Sequence, residues 1–183
     1  MFEDIDLQIL KIINHPIDPI INIFFVLLAY SIYPFLFYLA YYFYKRRESN
    51  ILYHLVVTAI IGFIVVSAIK YIVDRPRPYL DNSEIQNIIF LTDPSFPSRH
   101  TFTALLLSRF VPKKISKNWK ILMLLYLAMI PITMMYIGVH YPSDILGGII
   151  IGLLIPRIIS EKISSKISDK ILSFDLRKFV PAS

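Results

Sequence analysis

Long apolar runs separated by short polar breaks set the plan of this chain. The first run, residues 19–44, is long enough to cross a bilayer with some tilt. Its tyrosine-rich end (Tyr38, Tyr41, Tyr42, Tyr44) has the character of an interfacial aromatic belt, closed by Lys45-Arg46-Arg47. A second run covers residues 51–73. The polar stretch that follows, residues 74–96, is longer than most connections and is therefore expected to carry function. The third run, residues 101–111, is short for a crossing. It can cross only if Ser98 to His100 already lie below the headgroups, in a polar pocket. Residues 119–139 form a fourth run and residues 145–159 a fifth. Ahead of them all, residues 3–14 carry Ile5, Ile9, Ile12 and Ile13 among Glu, Asp and Lys, the pattern of a short amphipathic helix lying at an interface. Asn14-His15-Pro16 ends it.

After the fifth run, Ile159, Ile163, Ile167 and Ile171 recur every four residues between Lys, Ser and Glu. This tail is expected to be a second interfacial amphipathic helix, its lysines meeting anionic headgroups, with a partner-binding helix as the less favoured reading. The fold class predicted is all-α: a polytopic membrane helix bundle of about five transmembrane helices, with interfacial amphipathic helices at both termini. Residues 1–183 read as one domain, in which 1–18 is the interfacial N-terminal segment and 160–183 the amphipathic tail on the cytoplasmic side.

Composition supports a membrane reading. The chain is 56% hydrophobic with a mean hydropathy of +0.60, above the ~45–50% apolar content of soluble domains. Its N-terminus, Met1-Phe2-Glu3-Asp4, lacks the positive start of a cleavable signal peptide. The absence of cysteine excludes disulfides, thiolate chemistry and Cys-based metal sites. A net charge of +6 could suggest nucleic acid, but its placement speaks for topology instead. Lys45, Arg46 and Arg47 share one side with Arg109, Lys113, Lys114, Lys117, Lys120 and the basic tail, while Glu3, Asp4, Asp6, Asp18, Asp81, Glu84 and Asp93 fall on the other. By the positive-inside rule the N-terminus is outside and the C-terminus inside. No nucleic-acid partner is expected. The partners are membrane lipids, and oligomeric state is left open.

Three polar clusters sit at the edges of apolar runs, all on the acidic side. Lys70 and Arg77 lie seven residues apart, and Pro76 and Pro78 stop a helix from running through them, so the stretch is a stiff cationic exit from the second run. Paired cations beside a membrane pocket suit a phosphate. The plainer reading is snorkelling to headgroups. Arg75, also ahead of a proline, is expected to point outward, paired with Asp74 and with no catalytic role. Pro97-Ser98-Arg99-His100 opens the third run: Ser98 is a natural N-cap, helix-start N–H groups bind anions, Arg99 adds charge and His100 can pass a proton to a leaving oxygen. Taken alone, such a triplet is more often a cap with headgroup contacts. In the last cluster, His140 and Asp144 stand four residues apart across Pro142. The histidine could serve as nucleophile or general base with the carboxylate fixing its tautomer. Asp144 alone could merely favour the helix dipole, and Ser143 could cap the fifth helix. Gly147, Gly148 and Gly152 are expected to let helices pack closely. His15 and His54 lie outside the clusters and are expected at the interfaces. No carboxylate cluster that would hold a metal is seen, and no cofactor is expected.

Taken together, the clusters resemble the three motifs of the type 2 phosphatidate phosphatase superfamily of integral membrane lipid phosphatases: K-x6-R-P, P-S-G-H and S-R-x5-H-x3-D. Here the first reads Lys70…Arg77-Pro78, the second Pro97-Ser98-Arg99-His100, and the third Thr133-Met134…His140…Asp144. The resemblance runs from the second apolar run to the fifth, and the size and layout are similar to the bacterial polyprenyl diphosphate phosphatases of that family. It implies a metal-independent phosphatase or diphosphatase domain acting on a lipid phosphate, with a polyprenyl diphosphate favoured and phosphatidate or phosphatidylglycerophosphate second. A non-catalytic lipid-binding or transport protein on the same fold, and a related transferase, are the alternatives. It further implies that His140 is the nucleophile, that Asp144 orients it, that His100 is the proton donor, and that Lys70, Arg77 and Ser98 hold the phosphate, at a site on the extracytoplasmic side of the cell membrane. Two positions depart from the pattern. Met134 stands where the family has Arg, and Arg99 where it has Gly, which suggests that Arg99 supplies the missing guanidinium.

Overall fold

The computed structural model describes residues 2–16, 18–160 and 163–167. Among them lie helices α1 (Phe2–Ile13), α2 (Pro19–Tyr30), α3 (Ile32–Lys45), α4 (Ser49–Val73), α5 (Pro78–Asp81), α6 (Arg99–Arg109), α7 (Lys117–Tyr136) and α8 (Pro142–Ile158), with a further helical turn at 163–167. The chain is all-α across these residues, and every apolar run becomes helix within a few residues of its sequence limits. The rest of the predicted tail helix, residues 168–183, lies outside the described residues.

The first run is two helices joined at Ser31. Pro34 has no N–H to offer the Tyr30 carbonyl, so the α-helical ladder loses a rung there. Ser31 Oγ turns back to Leu28 O at 2.7 Å and shares a 2.7 Å hydrogen bond with Tyr126 Oη on α7. Ser31 N–H still reaches Leu27 O and Phe35 N–H reaches Ser31 O, which keeps the two helices nearly continuous.

Among the described residues, three segments are long and apolar enough to cross a membrane: Pro19–Lys45, Ser49–Asp81 and Lys117–Tyr136. Their outward faces, and that of α8, are apolar: Ile20, Ile23, Leu27, Ile60, Ile64, Leu125, Leu146 and Ile150 are all exposed on the protein. Apolar surface of this extent needs an apolar surrounding, which places the chain in a membrane. α6, with 11 residues, is about 16 Å long, roughly half a hydrocarbon core. It packs against α4, α7 and α8 and buries His100, Phe102, Ala104, Leu106 and Leu107. Glycines make that contact close. A Cβ on Gly148 would stand 2.7 Å from Ser98 O and 2.8 Å from Thr101 Cβ, and one on Gly152 2.6 Å from Leu105 Cβ, the packing role expected of them.

Burial sharpens two expectations. His54 points into the bundle: it is buried, edge-on to Phe110, on the inward face of α4 with Thr58, Gly62, Val66 and Lys70. The spacing of four sets all five along one inclined ridge of the helix. α1 is amphipathic as expected, but it is docked on the bundle through fully buried Leu10. Asn14, just past its end, donates to Gln86 O at 2.9 Å and Tyr136 O at 2.8 Å and accepts from Gln86 N at 2.9 Å. This one amide ties α1, the loop after α5 and the end of α7 together.

Candidate active site

α4 ends because Asp74 adopts the left-handed conformation (φ 47°), its N–H closing on Lys70 O at 2.9 Å. The chain then leaves as Arg75-Pro76-Arg77, whose last carbonyl opens α5, and the two arginine side chains diverge. Arg77 enters the bundle. Its Nε donates to Asp93 O at 2.9 Å, Nη2 to Asp93 Oδ1 at 2.7 Å and Nη1 to Val139 O at 2.8 Å, and Nη1 lies 3.2 Å from His140 Nε2. Lys70, one turn before the end of α4 and 1% exposed, donates to Pro94 O and to Ser95 O at 3.2 Å, and its Nζ lies 3.4 Å from Asp93 Oδ2.

The start of α6 brings the second cluster. Ser98 is the N-cap, its Oγ accepting from Thr101 N at 3.3 Å and from Thr101 Oγ1 at 3.1 Å. It is fully buried behind the pocket rather than on its wall. Arg99 reaches Asp93 Oδ2 at 2.6 Å and keeps 39% of its side chain exposed. His100 is buried edge-on to the rings of Tyr30 and Tyr33, and its Nε2 makes no hydrogen bond to any described residue.

The third cluster follows a turn that needs glycine. Gly138 has φ 79°, and a Cβ there would stand 2.3 Å from Gln86 O. The turn presents His140, 2% exposed, with its Nδ1 3.2 Å from Asp144 Oδ2. The carboxylate is a local capping group as well: Tyr141 is the N-cap of α8, and Asp144 Oδ2 accepts its N–H at 2.9 Å. With the Nδ1 proton given to Asp144, Nε2 carries the ring's lone pair and faces Arg77. Asp144 O accepts Ser98 N–H at 3.0 Å, so the starts of α6 and α8 are bonded directly.

Ser143 is not the cap expected of it. Pro142 and Ser143 fall inside the first turn, and the free N–H of Ser143 donates to Asp6 Oδ1 of α1 at 2.8 Å while its Oγ bonds Asp6 Oδ2. Arg75 is likewise not an outward partner of Asp74. It lies 3.9 Å over the Tyr141 ring, donates to Asp144 Oδ1 at 2.9 Å and Asp6 Oδ2 at 2.8 Å, and bonds Ser143 Oγ. The physical reason is the left-handed Asp74, which turns the chain back over the start of α8, where a buried carboxylate is available.

Lys70, Arg77, Asp93, Arg99, His100 and His140, with Tyr30, Tyr33 and Leu91, wall a cavity of about 120 Å³. Asp93, Asp6 and Arg75 went unrecognised as site residues in the sequence. The usable signal for Asp93 was position alone, four residues ahead of the Pro97-Ser98-Arg99-His100 cluster. Burial pushes its carboxyl up, but Lys70, Arg77 and Arg99 outweigh that and hold it below the usual carboxylate range. Among the described residues no group of three or more His, Asp or Glu side chains is placed to hold a metal.

A larger cavity, about 540 Å³, lies at the other ends of α4 and α6, against His54, Arg109, Phe110, Lys113 and Lys114. Size does not make it the site. Its wall also holds Glu48, which pairs with Arg46 rather than with the histidine, and its cations sit where lysines and arginines meet headgroups in any membrane protein.

Comparison with known proteins agrees with this geometry. Residues 50–166 match the family described as the PAP2 superfamily. Undecaprenyl-diphosphatase BcrC of Bacillus subtilis (strain 168) is 30% identical over 98 residues, which cover 52% of this chain and 49% of that protein. The chain thus spans about half the length of the curated relative it matches. The crystal structure of Aquifex aeolicus LpxE has a TM-score of 0.73 at 25% identity, covering 87% of this chain and 94% of that one. A PAP2 type phosphatidylglycerolphosphate phosphatase from Bacillus subtilis shares the fold at a TM-score of 0.70 and 20% identity, over 95% of this chain and 89% of its own. The matched residues take in more than half of the chain and all three clusters, and the chain belongs to the PAP2 superfamily.

Proposed function

We propose that this protein is an integral membrane lipid phosphatase that hydrolyses a phosphate monoester or diphosphate carried on a lipid, through a phosphohistidine on His140. One observation carries the reading. His140 is held by Asp144 through Nδ1, and its Nε2 faces a pocket walled by Lys70, Arg77, Arg99 and His100. In the first step Nε2 attacks phosphorus and the bond to the lipid-side oxygen breaks. His100, as the imidazolium favoured by an incoming anion, protonates that oxygen. Water then attacks phosphorus, His100 takes its proton, and the P–N bond breaks to release inorganic phosphate and free His140. Lys70, Arg77 and Arg99 oppose the charge on the equatorial oxygens, and the N–H groups at the start of α6, set by Ser98, add to them. Three cations in the wall make the pocket a poor seat for Mg²⁺, which supports a metal-independent reaction.

A polyprenyl diphosphate is the favoured substrate, on the likeness to an undecaprenyl-diphosphatase. Five spans, with α6 and α8 as the two short ones, would place the pocket at the extracytoplasmic face. Met134 supports the second reading, a non-catalytic lipid-binding or transport protein on the same fold: it is fully buried and apolar where the family has Arg. Arg99, on the pocket wall, is the guanidinium available in its place. Arg99→Gly is expected to lower kcat/KM by roughly 100-fold or more; full activity in that variant removes the compensation idea.

The test uses the full chain purified in detergent, assayed for phosphate release from polyprenyl diphosphate, phosphatidate and phosphatidylglycerophosphate with EDTA present. Turnover is expected, together with an acid-labile phosphoenzyme that His140→Ala does not form. Binding without turnover would favour the lipid-binding reading, and a requirement for added metal would overturn the mechanism.

A further inference from the structure

Every cation proposed to hold the substrate phosphate is already bound to one carboxylate. Asp93 Oδ1 lies 2.7 Å from Arg77 Nη2, and Oδ2 lies 2.6 Å from Arg99 Nη2 and 3.4 Å from Lys70 Nζ. Two carboxylate oxygens spread over three cations occupy the positions that two phosphoryl oxygens would need. We infer that Asp93 is an internal stand-in for the substrate phosphate: it holds Lys70, Arg77 and Arg99 in place while the pocket is empty, and the phosphate must displace it. This rests on the phosphatase reading of the same pocket and adds a competitor to it.

Three observations support displacement of the side chain rather than of the loop. The Asp93 backbone is pinned independently, its carbonyl accepting from Arg77 Nε at 2.9 Å. The next carbonyl, Pro94 O, accepts from Lys70, and Ser95 N–H donates to Arg75 O at 2.7 Å. A turn about χ1 can therefore withdraw the carboxylate while the chain stays put. The carboxylate is also not cleared by protonation at neutral pH, because it is bracketed by cations. A pocket without it would hold buried Lys70 and Arg77 unpaired, which is costly. With it, the empty pocket is stable but binds anions less tightly, since apparent affinity falls with the fraction of molecules whose carboxylate is withdrawn.

The consequence is specific. Removing the charge should make the empty protein less stable and the anion complex tighter. The experiment measures binding of inorganic phosphate and orthovanadate to the full chain in detergent by titration calorimetry, for wild type, Asp93→Asn, Asp93→Ala and Asp93→Glu. Asp93→Asn and Asp93→Ala are expected to bind both anions roughly tenfold tighter. Asp93→Glu keeps a carboxylate and is expected to stay within about threefold of wild type. Anion affinity that is unchanged, weaker or absent in both neutral variants overturns the proposal and leaves Asp93 a structural latch. Because these measurements need no turnover, they separate from the phosphatase reading, which fails if wild type hydrolyses no lipid phosphate.

Discussion

The two ends of α4 and α6 both gather cations, and they do it in opposite ways. At one end Lys70 and Arg77 are buried and bound to Asp93, with Arg99 beside them. At the other, Lys113 and Lys114 are exposed beside a cavity several times larger. The two cavities are walled by equal numbers of cations, and size alone would favour the second end. Desolvation favours the first: groups removed from water interact strongly, and solvated ones hardly at all. Histidines show the same contrast. His140 has a carboxylate on one nitrogen and cations before the other, whereas His54 sits edge-on to Phe110 with its Nε2 unbonded to any described residue.

Substitutions can break this contrast. The largest effect is expected from His140→Ala, a loss of at least about 1000-fold in kcat, because the atom proposed to bond phosphorus is gone. Lys70→Met and Arg77→Met should each cost roughly 100-fold or more in kcat/KM, the scale of one transition-state contact. Arg75→Gln should be milder, roughly tenfold, and confined to kcat. Arg75 touches the carboxylate behind His140, the proposed nucleophile, but not the pocket wall, so KM should stay near wild type; a rise in KM with kcat intact would place it in substrate binding. The fourth effect is on stability. Because the folded pKa of Asp93 is depressed, its ionised form contributes stability that is fully present above the ordinary carboxylate range and lost as pH falls through the lower folded value. Asp93→Asn should therefore melt below wild type at pH 7, and the gap should close in acid. Smallest of all, Lys113→Gln with Lys114→Gln should leave kcat/KM within about twofold. A loss there comparable to Lys70→Met would show that the larger cavity serves the reaction.

Much of this molecule was legible as periodicity. The apolar runs gave the helices because hydrophobic length is a local property. The Lys70, Arg77, His100, His140 and Asp144 positions were legible because each sits at the edge of such a run, and the structure brings all five to one place. Partner choice was not legible. Arg75 was assigned to its neighbour Asp74, but it bonds Asp144 and Asp6, each 69 residues away. A left-handed Asp74 decides that, and nothing in the neighbouring residues announces it. Asp93 read as one more acid in a polar loop, since a solvated carboxylate and a buried one look alike in sequence. His54 is a different kind of case. It was judged by which side of the membrane it fell on, although its spacing of four from Thr58, and on to Gly62, Val66 and Lys70, already put it on the inward ridge.

The contact of Gly148 with Ser98 O and Thr101 has a consequence for anyone who would rebuild this protein. The atoms it meets are two backbone atoms and the Thr101 Cβ, none of which a rotamer change can move, so the glycine acts as a spacer of fixed width. It sets the gauge between the strand of chemistry that begins at His100 and the one that ends at Asp144. Lengthening a loop or trading outward-facing residues leaves that gauge alone. A single methyl group at Gly148 widens it and moves Arg99 and His100, at the start of α6, away from His140.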